Sequence, residues 1–161
     1  MGRTRVQVGD IFEIPLSNGG KAYGQYVFKD RKMGPLIRVF ALITQGDVGI
    51  AELMAKLKDA DLLFGPVFTG LFAAVRTDLW KVIGHFPVQE FTYPGFLSVL
   101  DEEYKPISHW YLWDGETSRT LGQVLPDEYK HLELLVGWSP HDIAHRIETG
   151  ENPYEQMIKE G

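Results

Sequence analysis

The stretch from residue 8 to residue 44, VGDIFEIPLSNGGKAYGQYVFKDRKMGPLIRVFALIT, decides the fold. It divides into three strand-like segments, 8–15, 22–29 and 36–44. In the first, Val8, Phe12, Ile14 and Leu16 fall on one side and Glu13 on the other. Asp10 falls on the apolar side, so it sits at the strand mouth or is paired. Ser17-Asn18-Gly19-Gly20 closes the first hairpin, because Asn and Gly tolerate positive φ. Residues 29–34 make the second connection. The third segment has almost no polar residue, which predicts burial on both faces and a central position. Gly24, between Tyr23 and Tyr26, leaves room for a bulge or a close approach. The pattern is a twisted antiparallel meander curled toward a barrel.

Working outward, Ile50, Leu53, Met54 and Leu57 repeat at helical spacing, so a helix runs over 48–58 with Asp47 as its cap. Glu52 and Lys56 form a well-ordered i, i+4 pair. Covering one face of the meander with this helix would bury Phe12, Phe40, Leu53 and Leu57 together. Residues 62–64 and 67–69 read as strand pieces around Gly65-Pro66, and 71–76 and 80–86 as two further strands. Residues 88–107 read as irregular, around the turn Tyr93-Pro94-Gly95, with Phe96, Leu97, Val99 and Leu100 able to supply a helical turn. Asp114-Gly115 between two aromatic-rich segments, 108–113 and 116–121, predicts a hairpin with a type I′ turn. A last strand spans 132–138. Ser139-Pro140 opens a helix that Gly150 ends, and Asn152-Pro153 opens a short terminal one. The fold class is α+β: a strongly bent antiparallel sheet, partly open and barrel-like, with a few flanking helices, in one domain over 1–161.

The chain has 161 residues, enough to bury a core without staples, and no cysteine. That excludes disulfides, thiol catalysis and cysteine metal sites, and suits a reducing compartment. No segment approaches the length of a membrane span, and none is secretory in type, so a cytoplasmic protein is expected. Net charge is −6. Residues 1–38 hold seven bases and three acids, whereas residues 101–161 hold five bases and thirteen acids. The acidic end keeps the surface soluble or meets a basic partner, and the total argues against nucleic acid.

No stretch carries a catalytic motif. His141 and His145 stand at i, i+4, but the zincin pattern wants Glu after the first His and Asp142 stands there, so no metal site is expected. No serine has a Gly-x-Ser-x-Gly context, and Ser139 is explained as a cap. The glycines at 19, 20 and 24 do not lead a strand into a helix, so they are turn residues and not a dinucleotide site. Lys29, Arg31 and Lys32 form a solvated basic turn. No cofactor is implied.

The words Gly9-Asp10-Ile11-Phe12-Glu13-Ile14-Pro15-Leu16 and Gly20-Lys21-Ala22-Tyr23-Gly24-Gln25-Tyr26-Val27 resemble the opening of the immunity protein 26 family of bacterial polymorphic toxin systems. Arg146-Ile147-Glu148-Thr149-Gly150-Glu151-Asn152 is similar to the way such proteins end. The resemblance implies a non-enzymatic inhibitor that binds a cognate toxin, and it carries no catalytic residue over. On that reading the partner meets acidic residues of the second half. The acidic run Asp101, Glu102 and Glu103 is one candidate patch; Trp113, Asp114 and Glu116 at the hairpin tip form the other. Two rival readings stand beside it. One is an enzyme or small-molecule-binding protein with 88–107 as a lid, the other a nucleic-acid-binding barrel using the basic meander.

Overall fold

The structure, a computed structural model, describes residues 5–100 and 106–161. The described chain resolves into two compact units, 1–91 with 137–150 and 92–136 with 151–161. The first is built on a six-stranded sheet. Strands β1 (Asp10–Pro15), β2 (Lys21–Asp30) and β3 (Gly34–Val39) form the expected antiparallel meander. β5 (Lys81–His85) pairs antiparallel with β1. β4 (Val67–Thr69) pairs antiparallel with β3 and parallel with the two-residue β9 (Gly137–Trp138). The order β5-β1-β2-β3-β4-β9 leaves an open, mixed sheet, with β2 and β3 in the middle.

Both faces of the sheet's central strands are largely buried, and period-two alternation assigns the side chains. One face carries Ile11, Tyr23 and Phe40, which pack with Phe86 against Leu53 and Leu57 of helix α1 (Ile50–Asp59). Phe12 lies on the opposite face, stacked on Trp80 with ring centroids 5.1 Å apart. The expectation that Phe12 would share the helix-covered core is thus corrected by one residue of register: Ile11 occupies that place. The Phe12 ring fills the space over Gly24, its cross-strand partner. A Cβ at Gly24 would stand 2.6 Å from Phe12 Cζ and 3.1 Å from the Arg38 carbonyl. The glycine is there for close approach. Leu53 is buried at the helix–sheet contact, so Leu53→Ala should cost about 3 kcal/mol. Urea unfolding that shows a loss under about 0.5 kcal/mol would contradict this packing.

Helix α1 starts two residues later than Asp47 suggests, with Gly49 at the N-cap and no side-chain cap. Leu71–Arg76 is a helix, α2, where a strand was expected. Leu71 and Ala74, three apart, are its buried residues, and the Leu-Phe-Ala-Ala run favours helix once β-pairing partners are taken. Helix α3 (Pro140–Thr149) follows the sequence signals closely. Ser139 Oγ accepts the Asp142 N–H, Pro140 occupies the first turn, and Gly150 closes the helix at φ 77°. Arg146 is buried, with its guanidinium over the rings of Phe64 (4.0 Å) and Trp138 (5.0 Å). Glu148 accepts the Ser17 N–H and so ties α3 to the first hairpin.

The second unit has a three-stranded antiparallel sheet of β6 (Phe96–Leu100), β7 (Pro106–Trp113) and β8 (Ser118–Gly122). β6 lies inside the segment expected to be irregular. Helix α4 (Glu155–Glu160) contributes Ile158 to a core with Leu97, Trp110, Leu125 and Leu134. The expected strand over 132–138 is split. Leu134 makes one parallel bridge to Leu97 in this unit, and only Gly137–Trp138 joins the larger sheet. No helix of the described residues is long and apolar enough to cross a membrane.

Candidate functional site

Asp101, Glu102 and Glu103 lie outside the described residues. The hairpin residues are described, and they divide. Trp113 is 1% exposed. It pairs across β6 with Phe96 and across β8 with Ser118, so the indole belongs to the sheet interior and not to an exposed anchor. Position beside a turn suggested exposure, but the connection spans four residues, 114–117, and the last strand pair still falls within the sheet. Asp114 and Glu116 are exposed. Asp114 builds the turn: its Oδ1 accepts the N–H groups of Glu116 and Thr117, both at 2.8 Å. The backbone adds the Asp114 N–H to the Thr117 carbonyl at 3.2 Å, but of Gly115 and Glu116 only Gly115 has positive φ, so the turn is not the expected type I′.

Those N–H groups, Thr117 foremost and then Glu116, hold the Asp114 carboxyl below the ordinary carboxylate range. The folded value lies below the unfolded one. The carboxylate's contribution is therefore complete above the unfolded value of about 3.9 and is lost as pH falls through the lower folded value. Amide shifts of Glu116 and Thr117 should stay constant from about pH 7 to pH 5 and move only below about pH 4. Movement centred well above that would place the carboxyl outside the turn.

Charge divides with the units. The second unit's sequence holds eleven acidic and four basic residues, whereas the first holds eleven and twelve. The acidity of the chain is therefore a property of the second unit, where Asp114, Glu116, Asp127, Glu128, Glu151, Glu155 and Glu160 are all exposed.

The first unit contains a polar site that the sequence reading missed. The meander register sets Gln25 of β2 opposite Arg38 of β3 on the helix-covered face. Gln25 is fully buried. Its Nε2 donates to the carbonyls of Phe86 (2.8 Å) and Gly9 (3.2 Å), and its Oε1 accepts from Arg38 Nη2 (2.8 Å) and Nε (3.0 Å). Arg38 Nη1 donates to the Gln89 carbonyl at 3.0 Å. Burial pulls the Arg38 guanidinium below its ordinary value, opposed by the charge of Glu90. Arg38 lines a cleft of about 500 Å³ with Phe40, Leu57, Phe86 and Glu90 among its walls. Glu90 has φ 50°, a left-handed backbone that side-chain-bearing residues rarely adopt. One signal could have revealed the site: a lone guanidinium in an otherwise apolar strand, matched by a lone amide in its neighbour.

Two other arrangements have chemical content. His85 Nδ1 stands 2.9 Å from Asp10 Oδ1, and Asp10 Oδ2 accepts the Gln7 N–H. Asp10 is therefore paired, one of the two alternatives its pattern allowed. This pair orients an imidazole as a general base would be oriented, but no Ser, Thr or Cys lines the adjoining cavity. It joins β1 to β5 at the sheet's end. A shallow concavity of about 860 Å³ is lined by Arg5, Lys29 and Arg76 with Phe72 and Tyr26. His141 and His145 are exposed on α3. Among the described residues, no group of three or more His, Asp or Glu could hold a metal ion.

No curated protein and no solved structure matches the chain. The family model described as Immunity protein 26 matches residues 7–104, which include the whole meander, α1, α2, β5, β6, the Arg38 cleft and the 101–103 acidic run. That match covers more than half of the sequence, and it agrees with the strand motifs at 9–16 and 20–27, so the chain belongs to the Immunity protein 26 family.

Proposed function

We propose that this protein neutralises a cognate toxin by binding it, without catalysis, and that the toxin meets the acidic second unit. Membership of the family carries the first half of the reading. The charge division supports the second. A unit whose sequence holds seven more acids than bases draws a basic partner by complementary potential and raises the association rate. Asp101, Glu102 and Glu103 are the favoured contacts because they fall within the matched residues, with Asp114 and Glu116 as a neighbouring patch in sequence. Trp113, buried within the sheet, supports the tip from inside and does not meet the partner on this reading.

The test is co-expression with a toxin encoded beside this gene, followed by binding kinetics of the purified pair. Wild type should restore growth. Reversal of residues 101–103 to Lys, and separately Glu116→Lys, should slow association and flatten its salt dependence. Unchanged kinetics in both at low salt would move the contact to another face. Failure of the wild type to protect or bind would end the immunity reading for that pair.

A further inference from the structure

Arg38 is nine-tenths buried. A guanidinium has five N–H groups and cannot shed its charge. Three of them are used, two on the Gln25 amide oxygen and one on the Gln89 carbonyl. That leaves one N–H on each terminal nitrogen. Both partners are neutral, and among the described residues no carboxylate lies within ion-pairing distance of Arg38. A buried cation hydrogen-bonded only to neutral acceptors, with the Glu90 charge beyond ion-pairing distance, favours an entering anion.

The mouth of the same cleft has the opposite character. Asp59, Asp61 and Glu90 line it, all three are exposed, and none is in an ion pair among the described residues. The single cation beside them, Lys58, has its ammonium 5.7 Å from the centre of the Phe86 ring. Leu57, Phe40 and Phe86 give the walls an apolar part. A simple anion is repelled at the mouth, and a simple cation is repelled by Arg38 inside. A molecule carrying both charges satisfies both ends.

We propose that the Arg38 cleft is a receptor for a small zwitterion of amino-acid type, its carboxylate on the two remaining Arg38 N–H groups, its ammonium toward Glu90, Asp59 and Asp61, and its apolar part against Phe40 and Phe86. The volume, about 500 Å³, is in the range of small-ligand sites. The left-handed backbone at Glu90 follows directly on the carbonyl that Arg38 holds, so the anion and cation receptors are fixed by one short segment. This inference does not rest on the proposed toxin contact and is tested on the purified protein alone.

The experiment is a titration followed by amide NMR and calorimetry, with leucine, phenylalanine, glutamate and lysine as probes. Two controls each lack one charge of leucine: 4-methylpentanoate has only the carboxylate, and isoamylamine only the ammonium. At least one amino acid should bind saturably, shifting amides within 38–40, 57–62 and 86–90. Each single-charge control should bind at least about tenfold more weakly than leucine, if leucine is the ligand, with other hits compared against their own deaminated acid. Glu90→Gln changes an exposed group and leaves the fold intact; it should weaken binding about tenfold. Arg38→Lys, which removes the planar fork, should weaken it further, and if that variant does not fold Glu90→Gln decides alone. The proposal is overturned if no probe saturates by about 10 mM. It is equally overturned if the carboxylate-only analogue binds as well as its amino acid, if Glu90→Gln binds like wild type, or if the shifts map elsewhere.

Discussion

Trp113→Ala lowers stability by about 3–5 kcal/mol, the range for deleting a buried aromatic ring. Trp113 is among the largest fully buried side chains of the chain. Its neighbours across both strand pairs fix its position: Phe96 at 0% exposure on β6 and Ser118 on β8. Tyr93 and Phe96 form an edge-to-face pair with ring centroids 5.5 Å apart, so the cluster has little freedom to collapse into the vacated space. Denaturant unfolding checks the magnitude, as a lower midpoint at unchanged slope. Trp113→Phe, which keeps a ring, should recover most of the loss. A cost below about 1 kcal/mol would mean that the indole does not fill this space. The pair of variants also separates fold from contact. Trp113→Phe should neutralise the toxin like wild type, whereas Glu116→Lys should change association and leave stability near wild type. A wild-type fold with abolished binding in Trp113→Phe would return the indole to the interface.

The difference between Trp113 as read and as found shows where sequence reading stopped. The hairpin itself was legible, because Asp114-Gly115 interrupts two strand-like runs and Asp114 does organise the turn. The face of β7 was not. Aromatics occur at 109, 110, 111 and 113 counting the imidazole, and alternation alone does not say whether one face or both is covered. Trp110 and Trp113 have opposite parity, and both are buried. The meander was legible for the opposite reason: its apolar alternation and turn residues agree at every level, and Gly24 had a steric cause that the sequence already suggested. The cap Ser139-Pro140 and the stop at Gly150 are local chemistry, and local chemistry reads well. Leu71–Arg76 is too short for its period to choose helix over strand, and its neighbours decided. The Arg38 cleft is assembled from residues 38–40, 57–62 and 86–90, and the bonds from Gln25 and Arg38 span 13, 16, 51 and 61 residues. Only the lone polar residues of two neighbouring apolar strands hint at such a site, and local spacing adds nothing to that hint.

That network carries the other large expected effect. Gln25→Leu keeps the approximate size of the side chain and removes its polar atoms, and it should cost about 3–5 kcal/mol. Three losses combine. The Phe86 carbonyl loses the amide N–H that reaches it at 2.8 Å inside the core. The Gly9 carbonyl loses its longer bond at 3.2 Å but keeps the Phe86 N–H, so its share is small. The main loss falls on Arg38, whose Nε and Nη2 both point at the Gln25 oxygen; without it a charged donor pair is left in an apolar wall. Breaking one side of a buried charged network is expensive, whereas replacing both sides by apolar groups of similar shape is far cheaper. The double variant Gln25→Leu, Arg38→Met should therefore be more stable than Gln25→Leu alone, despite carrying one more change. The coupling energy from this double-mutant cycle should be at least about 1.5 kcal/mol, within the range for residues sharing a hydrogen-bond network. Additive effects, with the double variant the least stable of the four proteins, would mean that Gln25 and Arg38 stabilise the sheet separately. In that case the guanidinium would not depend on the amide for its place at the cleft.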